Sequence, residues 1–259
     1  MKTKILFALA ALAFFQTTAF AAGPYPLTIP DGEYRLVPGC RYQGVQTPMI
    51  GQVYSYTMYA YKGSGFVASA FVGGQWSPDL VFAPGEGGIL AVTGGSDTFL
   101  FQQSAATKLP LALAPGFNLA CAQTDSSAAF EDIVGRPPQN GEMVYKFNAG
   151  PGANPFNLAA PDYTIYTFTN GTWSPGAPAV GITEAVFIFE PPQVTIRGIG
   201  NGLLMLEWPT NVPNCLLQST TNLSSGVWAT NRTPPVVVNG NNRVTNTISA
   251  SQQFFRLVH

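Results

Sequence analysis

The sequence predicts an all-β protein, namely a duplicated β-sandwich or barrel-like domain over residues 23–190 and a small β-sandwich over residues 193–259. Composition is the first reason: 46% of the residues are hydrophobic, only 10% are charged, and the chain contains 27 glycines and 22 prolines. This combination is typical of a core-forming, turn-rich protein and not of a disordered chain. Short alternating runs of Val, Thr, Tyr and Phe are the second reason. A Trp-Ser-Pro turn that occurs twice in the same context is the third.

Residues 1–22 are expected to form a secretory signal peptide. Two lysines precede an apolar segment at residues 5–15, and Ala19-Phe20-Ala21 matches an A-x-A cleavage site. An apolar run of about a dozen residues is too short to span a bilayer. We therefore expect cleavage near Ala21-Ala22, no membrane span, and a mature chain that is secreted or held at the cell surface.

Charge excludes two classes of partner. Removing the leader removes two of the twelve basic residues and leaves ten against thirteen acidic ones. This mildly negative balance offers no electrostatic reason to bind nucleic acid or an anionic membrane. We expect the partner to be a cell-surface polysaccharide or a protein, and no nucleic acid.

The internal repeat consists of two units, at about residues 35–92 and 113–190. In both units a phenylalanine precedes the Trp-Ser-Pro turn by five residues and a glycine precedes it by two. A lone glutamate follows each turn and leads into an apolar strand. The recurring residues are Phe71, Gly74, Trp76 and Glu86 in the first unit and Phe168, Gly171, Trp173 and Glu184 in the second.

Strand patterns recur along both units. The predicted strands are residues 53–61, 66–72, 89–92 and 97–103, then residues 117–122, 141–147, 163–168 and 185–189. Residues 126–134 are the one helical turn that the pattern predicts. Ser126 is its expected N-cap, and Phe130, Ile133 and Val134 are expected to point inward.

The chain beyond Pro191-Pro192 predicts a separate module. Its short strand candidates are residues 194–197, 203–208, 215–218, 227–230, 236–238, 244–249 and 254–258. So small a domain depends on its few large side chains for a core. We expect Trp208 or Trp228 to pack between two sheets, and residues 254–258 to pair with an earlier strand.

Two sets of motifs resemble uncharacterised secreted proteins of verrucomicrobial and related bacteria. Those proteins end in a module that reads L-x-W, Y-T-L-Q-x-T-x-N-L, W and F-F-R-L, which this chain resembles at Leu206-Glu207-Trp208, 215–223, Trp228 and 254–257. Cys215 stands where the family usually has an aromatic residue. A second element of these proteins resembles Pro115-Gly116-Phe117-Asn118-Leu119, 141–147, the Trp-Ser-Pro turn and Gly85-Glu86-Gly87. The first unit departs from it at residues 38–42, where the family has G-[FY]-N-L. The resemblance implies a secreted β protein without an assigned activity.

Three cysteines are present. Cys40 and Cys121 both follow a Pro-Gly pair at the opening of a unit, so they are the candidate disulfide pair in an oxidising compartment. Cys215 lies in an apolar run and is expected to be a buried thiol.

Catalytic motifs are absent from the sequence. The only histidine is His259, the last residue given, so neither a Ser/His/Asp triad nor a multi-histidine metal site can be formed. The sequence contains no G-x-S-x-G, P-loop or C-x-x-C motif. We expect no enzymatic activity, no cofactor and no metal.

The candidate site residues are aromatic or acidic. Tyr54, Tyr56, Trp76 and Trp173 are the candidate ligand-binding residues, because exposed aromatic rings stack on sugars; the alternative is that the tryptophans cover their turns as core residues. Glu86 and Glu184 are interpreted as residues that hold a turn through backbone N–H groups. A secreted or surface-associated, non-enzymatic interaction or adhesion protein is the leading functional hypothesis. The alternatives are a carbohydrate-binding protein and a glycoside hydrolase that uses these two glutamates.

Overall fold

The computed structural model describes residues 25–39, 42–45, 55–63, 65–72, 75–101, 110–123, 126–210 and 215–258. Nearly all regular structure in these ranges is antiparallel β-strand, which confirms the predicted all-β class. The described strands form several sandwich-like sheets, none of which closes on itself. Within the described ranges, no helix has the length and apolar character needed to cross a membrane.

The elements follow one another in this order. The first strands are Tyr25–Ile29 (β1), Tyr34–Pro38 (β2), Tyr42–Val45 (β3), Ser55–Tyr61 (β4), Phe66–Val72 (β5), Gln75–Ser77 (β6), Gly87–Thr93 (β7) and Asp97–Phe101 (β8). They are followed by Gly116–Cys121 (β9), the helix Phe130–Val134 (α1), Met143–Phe147 (β10), Tyr163–Thr169 (β11), Thr172–Ser174 (β12) and Ala185–Glu190 (β13). The C-terminal strands are Thr195–Gly200 (β14), Leu203–Pro209 (β15), Leu216–Thr220 (β16), Ala229–Thr230 (β17), Val236–Val238 (β18), Asn241–Thr247 (β19) and Phe254–Val258 (β20).

Two five-stranded sheets have the same strand order. Sheet I is β2-β7-β4-β5-β6, and sheet II is β9-β13-β10-β11-β12. In each sheet the first strand pairs with the last, and the three strands between them in the sequence form a meander. This shared order is the pattern that duplication of one unit would produce.

The two Trp-Ser-Pro turns lie in the same local fold. Phe71 pairs with Trp76 across β5 and β6, and Phe168 pairs with Trp173 across β11 and β12. The ring centroids are 5.2 Å apart in both pairs. The Ser–Pro peptide bond that follows each tryptophan is cis.

Strand register corrects how the first unit was aligned. Ile89 and Phe187 occupy equivalent positions, because each lies three residues after the recurring glutamate of its unit. Leu36 pairs with Ile89, and Leu119 pairs with Phe187. Residues 34–36 therefore occupy the place of residues 117–119, and the alignment of residues 38–42 to that position is wrong. The physical reason is alternation along a strand, which fixes the residues that face the core.

Sheets I and II pack face to face. β2 and β7 of sheet I are equivalent to β9 and β13 of sheet II. Since β2 contacts β13 and β7 contacts β9, exchanging the two units reproduces the same set of contacts. This reciprocity is the signature of an approximate twofold axis. Phe187 is fully buried at the centre of this core, where its ring meets those of Tyr61, Phe66, Phe117 and Tyr163.

The outer faces of both sheets are also covered. A three-stranded sheet, β1-β8-β3, covers sheet I, and α1 covers sheet II. The inward residues of α1 are as predicted, with Phe130, Ile133 and Val134 buried. The prediction that Ser126 is the N-cap is wrong, because the helix begins later, at Phe130. Its N-cap is Ala129, whose backbone N–H donates to Asp132 Oδ2 at 3.2 Å.

One loop breaks the likeness between the units. Residues 148–162 join β10 to β11, whereas only residues 62–65 join β4 to β5. The longer loop carries Phe156 across the domain onto sheet I. Its ring lies 5.0 Å from the rings of Tyr59 and Phe66 and 5.6 Å from that of Tyr34.

We expect Phe156→Ala to lower the free energy of unfolding of the two-sheet domain. Each aromatic contact contributes about 0.5–1.5 kcal/mol beyond area burial, and the side chain keeps 38% exposure, so the expected loss is about 1–3 kcal/mol. Equilibrium urea unfolding measures this loss, and Phe156→Tyr, which keeps the ring, is the control. Equal free energies of unfolding for the alanine and tyrosine variants would show that the aromatic ring at position 156 does not stabilise the domain.

The C-terminal module is a sandwich of two sheets, β14-β15-β19-β18 and β17-β16-β20. Trp208, at 3% exposure, packs between them with Leu206, Leu217 and Val244, which confirms the expected central tryptophan. β20 pairs with β16 along its whole length, as expected.

Candidate functional site

The tyrosines proposed from the sequence are not a single exposed stripe. Tyr54 lies outside the described residues. Tyr56 is 4% exposed, and its hydroxyl donates to Asp97 Oδ2 at 2.5 Å, so it is unavailable to a ligand. Tyr59 and Tyr61 face the opposite side of β4, because successive residues of a strand alternate between faces.

Trp76 and Trp173 are half-buried core residues of the outer layers. Trp76 packs on Phe71 beneath the covering sheet, and Trp173 packs between Phe168 and Phe130 of α1. Both faces of sheets I and II are covered, so neither tryptophan forms the exposed platform that the aromatic hypothesis assigned to it.

Glu86 and Glu184 have the same surroundings. Oε2 of Glu86 accepts the N–H of Ala83 at 2.9 Å, and Oε2 of Glu184 accepts the N–H of Gly181 at 2.9 Å. This is the geometry that the turn-holding interpretation requires. A lysine also pairs with each carboxylate, Lys62 at 3.2 Å and Lys146 at 3.0 Å.

The predicted disulfide involves Cys40, which lies outside the described residues. Cys121 is buried at the end of β9, and its Sγ lies 3.4 Å from the carbonyl oxygen of Glu86. The bridge stays a prediction. Cys215 is half-buried where the two-sheet domain meets the C-terminal module, and burial raises the pKa of its thiol.

A cleft of about 280 Å³ lies where the two units meet, and we call it cleft I. Its walls combine aromatic rings, an ion pair and an extended segment before β9. The lining residues include Tyr61, Lys62, Phe82, Glu86, Phe117 and Asn118, together with residues 111–115.

The polar groups of cleft I have defined positions. Lys62 Nζ lies 3.2 Å from Glu86 Oε2 and 5.8 Å from the centroid of the Phe82 ring, and both charged side chains remain substantially exposed. Asn118 holds the segment before β9, since its amide donates to the carbonyl oxygens of Ala114 and Gly116 at 2.8 and 3.1 Å. Cleft I therefore offers a cation, a carboxylate and aromatic ring surfaces to a ligand.

A second cleft, cleft II, of about 240 Å³, lies at the position related to cleft I by the approximate twofold axis. Register places Leu36, Phe147 and Glu184 of cleft II where cleft I has Leu119, Tyr61 and Glu86. Cleft II has a single aromatic ring in its lining, among the residues that the structure describes. Cleft I is therefore the more suitable of the two for a ligand that stacks on rings.

A cavity of about 390 Å³ separates the two-sheet domain from the C-terminal module, and we call it the junction cavity. Its lining is mostly polar side chains and prolines. The lining residues are Leu113, Pro115, Glu190, Pro191, Gln193, Thr195, Glu207, Trp208, Pro209 and Asn241.

A buried carboxyl pair lies beside the junction cavity. Arg136 Nη2 donates to Glu142 Oε1 at 2.5 Å and to Glu190 Oε2 at 2.6 Å, and the Glu142 side chain is 0% exposed. Burial, together with the neighbouring Glu142 carboxyl, raises the pKa of Glu190 to about 7. The arginine thus holds two carboxyl groups that would otherwise repel each other.

Sequence reasoning missed both the carboxyl pair and the aromatic wall of cleft I. Glu142 appeared only within a motif of the resemblance, and Glu190 only as the last residue of the predicted duplicated domain. Nothing in the linear pattern joins Arg136 to a glutamate 54 residues away. The one available signal was a low overall charge, which makes any glutamate inside an apolar run worth examining.

Comparison of the chain with protein-family models, with curated proteins and with solved structures finds no match.

Proposed function

We propose that the protein is a secreted or surface-associated interaction protein that binds carbohydrate in cleft I without hydrolysing it. The observation that carries this proposal is the lining of cleft I. Three aromatic side chains, Tyr61, Phe82 and Phe117, line the cleft together with the exposed Lys62–Glu86 ion pair. Ligand sites are concave, mostly apolar and equipped with a few convergent polar groups, and this cleft has that composition.

Carbohydrate fits the cleft better than a purely apolar or a strongly charged ligand. A sugar ring has an apolar face that packs on aromatic rings and a hydroxyl rim that exchanges hydrogen bonds. An ammonium group donates to such hydroxyls and a carboxylate accepts from them. Since Lys62 and Glu86 compensate each other's charge, the site favours a neutral ligand. The aromatic hypothesis is thus kept, with different rings from those named from the sequence.

The arrangement of the glutamates disfavours hydrolysis. A glycoside hydrolase needs two carboxyl groups on either side of one scissile bond. Glu86 lines cleft I and Glu184 lines cleft II, and each is held by its own lysine and backbone N–H. These two residues do not share a cleft.

The test compares matched variants of the two clefts on an array of polysaccharides. Glu86→Gln and Glu184→Gln remove equivalent carboxylates that hold equivalent turns, so their structural costs cancel in the comparison. We expect Glu86→Gln to weaken carbohydrate binding by about tenfold or more, the effect of losing a charged hydrogen bond, while Glu184→Gln binds like the parent chain.

Two outcomes would contradict the proposal. Equal weakening by both variants would show that cleft I is not the site. Release of reducing ends from a bound polysaccharide would show that the protein is an enzyme.

A further inference from the structure

Cleft I and the junction cavity share a wall. Leu113 and Pro115 line both of them. Cleft I lies on one side of the segment before β9, and the junction cavity lies on the other. This segment is held in place at Leu111, whose N–H donates to the carbonyl oxygen of Val134 at 3.0 Å, and at Ala114, whose N–H donates to Asn118 Oδ1 at 3.0 Å. The two concavities therefore lie next to each other on either side of this segment, which we call the ridge.

The junction cavity carries polar groups that the chain itself does not use. Gln193, Thr195 and Asn241 line it, and within the part of the chain that the structure describes their side chains form no hydrogen bond. An amide or hydroxyl group that faces a cavity offers both a donor and an acceptor to a ligand. Sites between domains are also among the commonest positions for ligands.

Each carboxyl group that lines the junction cavity lies beside an arginine. Glu190 is held by Arg136 at 2.6 Å, and Glu207 by Arg243 at 2.6 Å. Oε2 of Glu207 has its nearest cation, Arg197 Nε, only at 3.7 Å and keeps capacity to accept a hydrogen bond. A cavity with paired charges and unused hydrogen-bonding groups suits a neutral, hydroxyl-rich ligand and not an ion.

We propose that cleft I and the junction cavity are two subsites of one groove that binds a linear, neutral polysaccharide across the segment at residues 111–115. This inference rests on the proposed function, since cleft I supplies the subsite that stacks on rings. The junction cavity supplies the subsite that forms hydrogen bonds, through Gln193, Thr195, Asn241 and Glu207. The ligand is a chain of several sugar units, because one sugar cannot occupy both sides of the ridge.

The experiment measures affinity against oligosaccharide length. Oligosaccharides of increasing length, cut from the polysaccharide that the array identifies, are titrated by calorimetry into the parent chain and into a Gln193→Ala, Asn241→Ala double variant. We expect the parent chain to gain about tenfold or more in affinity once the oligomer is long enough to reach the second subsite. The double variant should lose that gain and bind short oligomers like the parent. Thr245→Ala, also on β19 but outside the junction cavity, is the control and should keep the gain.

Each outcome decides one statement. If affinity does not rise with length, or if the double variant retains the rise, the two-subsite groove is wrong while cleft I stands. If no oligosaccharide of any length binds the parent chain, the proposed function itself fails. Retained binding of short oligomers also shows that the double variant is folded.

Discussion

Replacing Trp208 by alanine should unfold the C-terminal module. The side chain is 3% exposed and fills the space between the two sheets of that module, against Leu206, Leu217 and Val244. Truncating a buried Trp costs about 3–5 kcal/mol, because both the transfer energy and the packing around the cavity are lost. The stability of a whole domain is only about 5–15 kcal/mol, and small domains lie at the low end.

Limited proteolysis combined with urea unfolding measures this effect. We expect cleavage throughout residues 193–258 in Trp208→Ala, with the two-sheet domain still resistant. Trp228→Ala is the control. The Trp228 ring is half-buried, and Arg256 Cζ lies 4.2 Å above its centroid, so this substitution should lower the free energy of unfolding by only about 1 kcal/mol. Similar losses for the two variants would mean that Trp208 is not the centre of the module's core.

Arg136→Met should destabilise the two-sheet domain by about 3–5 kcal/mol at pH 8, the cost of leaving buried carboxylates without their cation. The side chain of Glu142 is fully buried and that of Glu190 is nearly so. Arg136 Nη2 donates hydrogen bonds to both carboxyl groups, so one substitution removes both ion pairs. Arg243→Met is the matched control. It removes a similar ion pair from Glu207, whose side chain is 19% exposed and has Arg197 nearby, so about 1 kcal/mol is expected.

Acidification should reduce the cost of Arg136→Met. The pKa of Glu190 is raised from 4.5 to about 7 in the folded protein, so the folded state binds more protons than the unfolded state between these values. The resulting stability is fully present below pH 4.5 and is lost as the pH rises through 7. Removing the cation raises the pKa of Glu190 further, because Arg136 is the group that lowers it, so the variant should lose more stability than the parent between pH 5 and pH 8.

Urea unfolding at several pH values tests this directly. Glu190→Gln in the parent chain should flatten the fall in stability over that range, because it removes the group that takes up the proton. A variant that is equally destabilised at pH 5 and pH 8 would contradict the assignment of the buried carboxyl pair.

Local chemistry was enough to predict the elements whose conformation depends on near neighbours. The aromatic, glycine and Trp-Ser-Pro spacing predicted two alike hairpins, and both form with the same register. The inward residues of α1 followed from helical periodicity, and the paired terminal strand followed from alternation and the demand of a small module for core residues.

Alternation along a strand predicts which residues share a face of the sheet, but it does not predict which other element packs on that face. Tyr56 and Trp76 were expected to be candidates for ligand contact, yet the covering sheet β1-β8-β3 lies over that side of sheet I. Since β1 and β8 flank the first unit in sequence, no local pattern indicates that they return to cover it. The alignment of the first unit failed for a related reason, because only pairing with β7 shows which residues of β2 face the core.

Only the tertiary structure brought the candidate site together. Cleft I joins the ion pair of the first unit to residues 111–118 of the second, and the buried pair joins Arg136 to Glu142 and Glu190. These contacts arise because sheets I and II pack through an approximate twofold axis and because the C-terminal module follows at Pro191. The sequence by itself therefore determined the all-β class and the repeated hairpins, which depend on short-range alternation and turn chemistry. Burial, charge pairing and the clefts were decided by which distant surfaces meet.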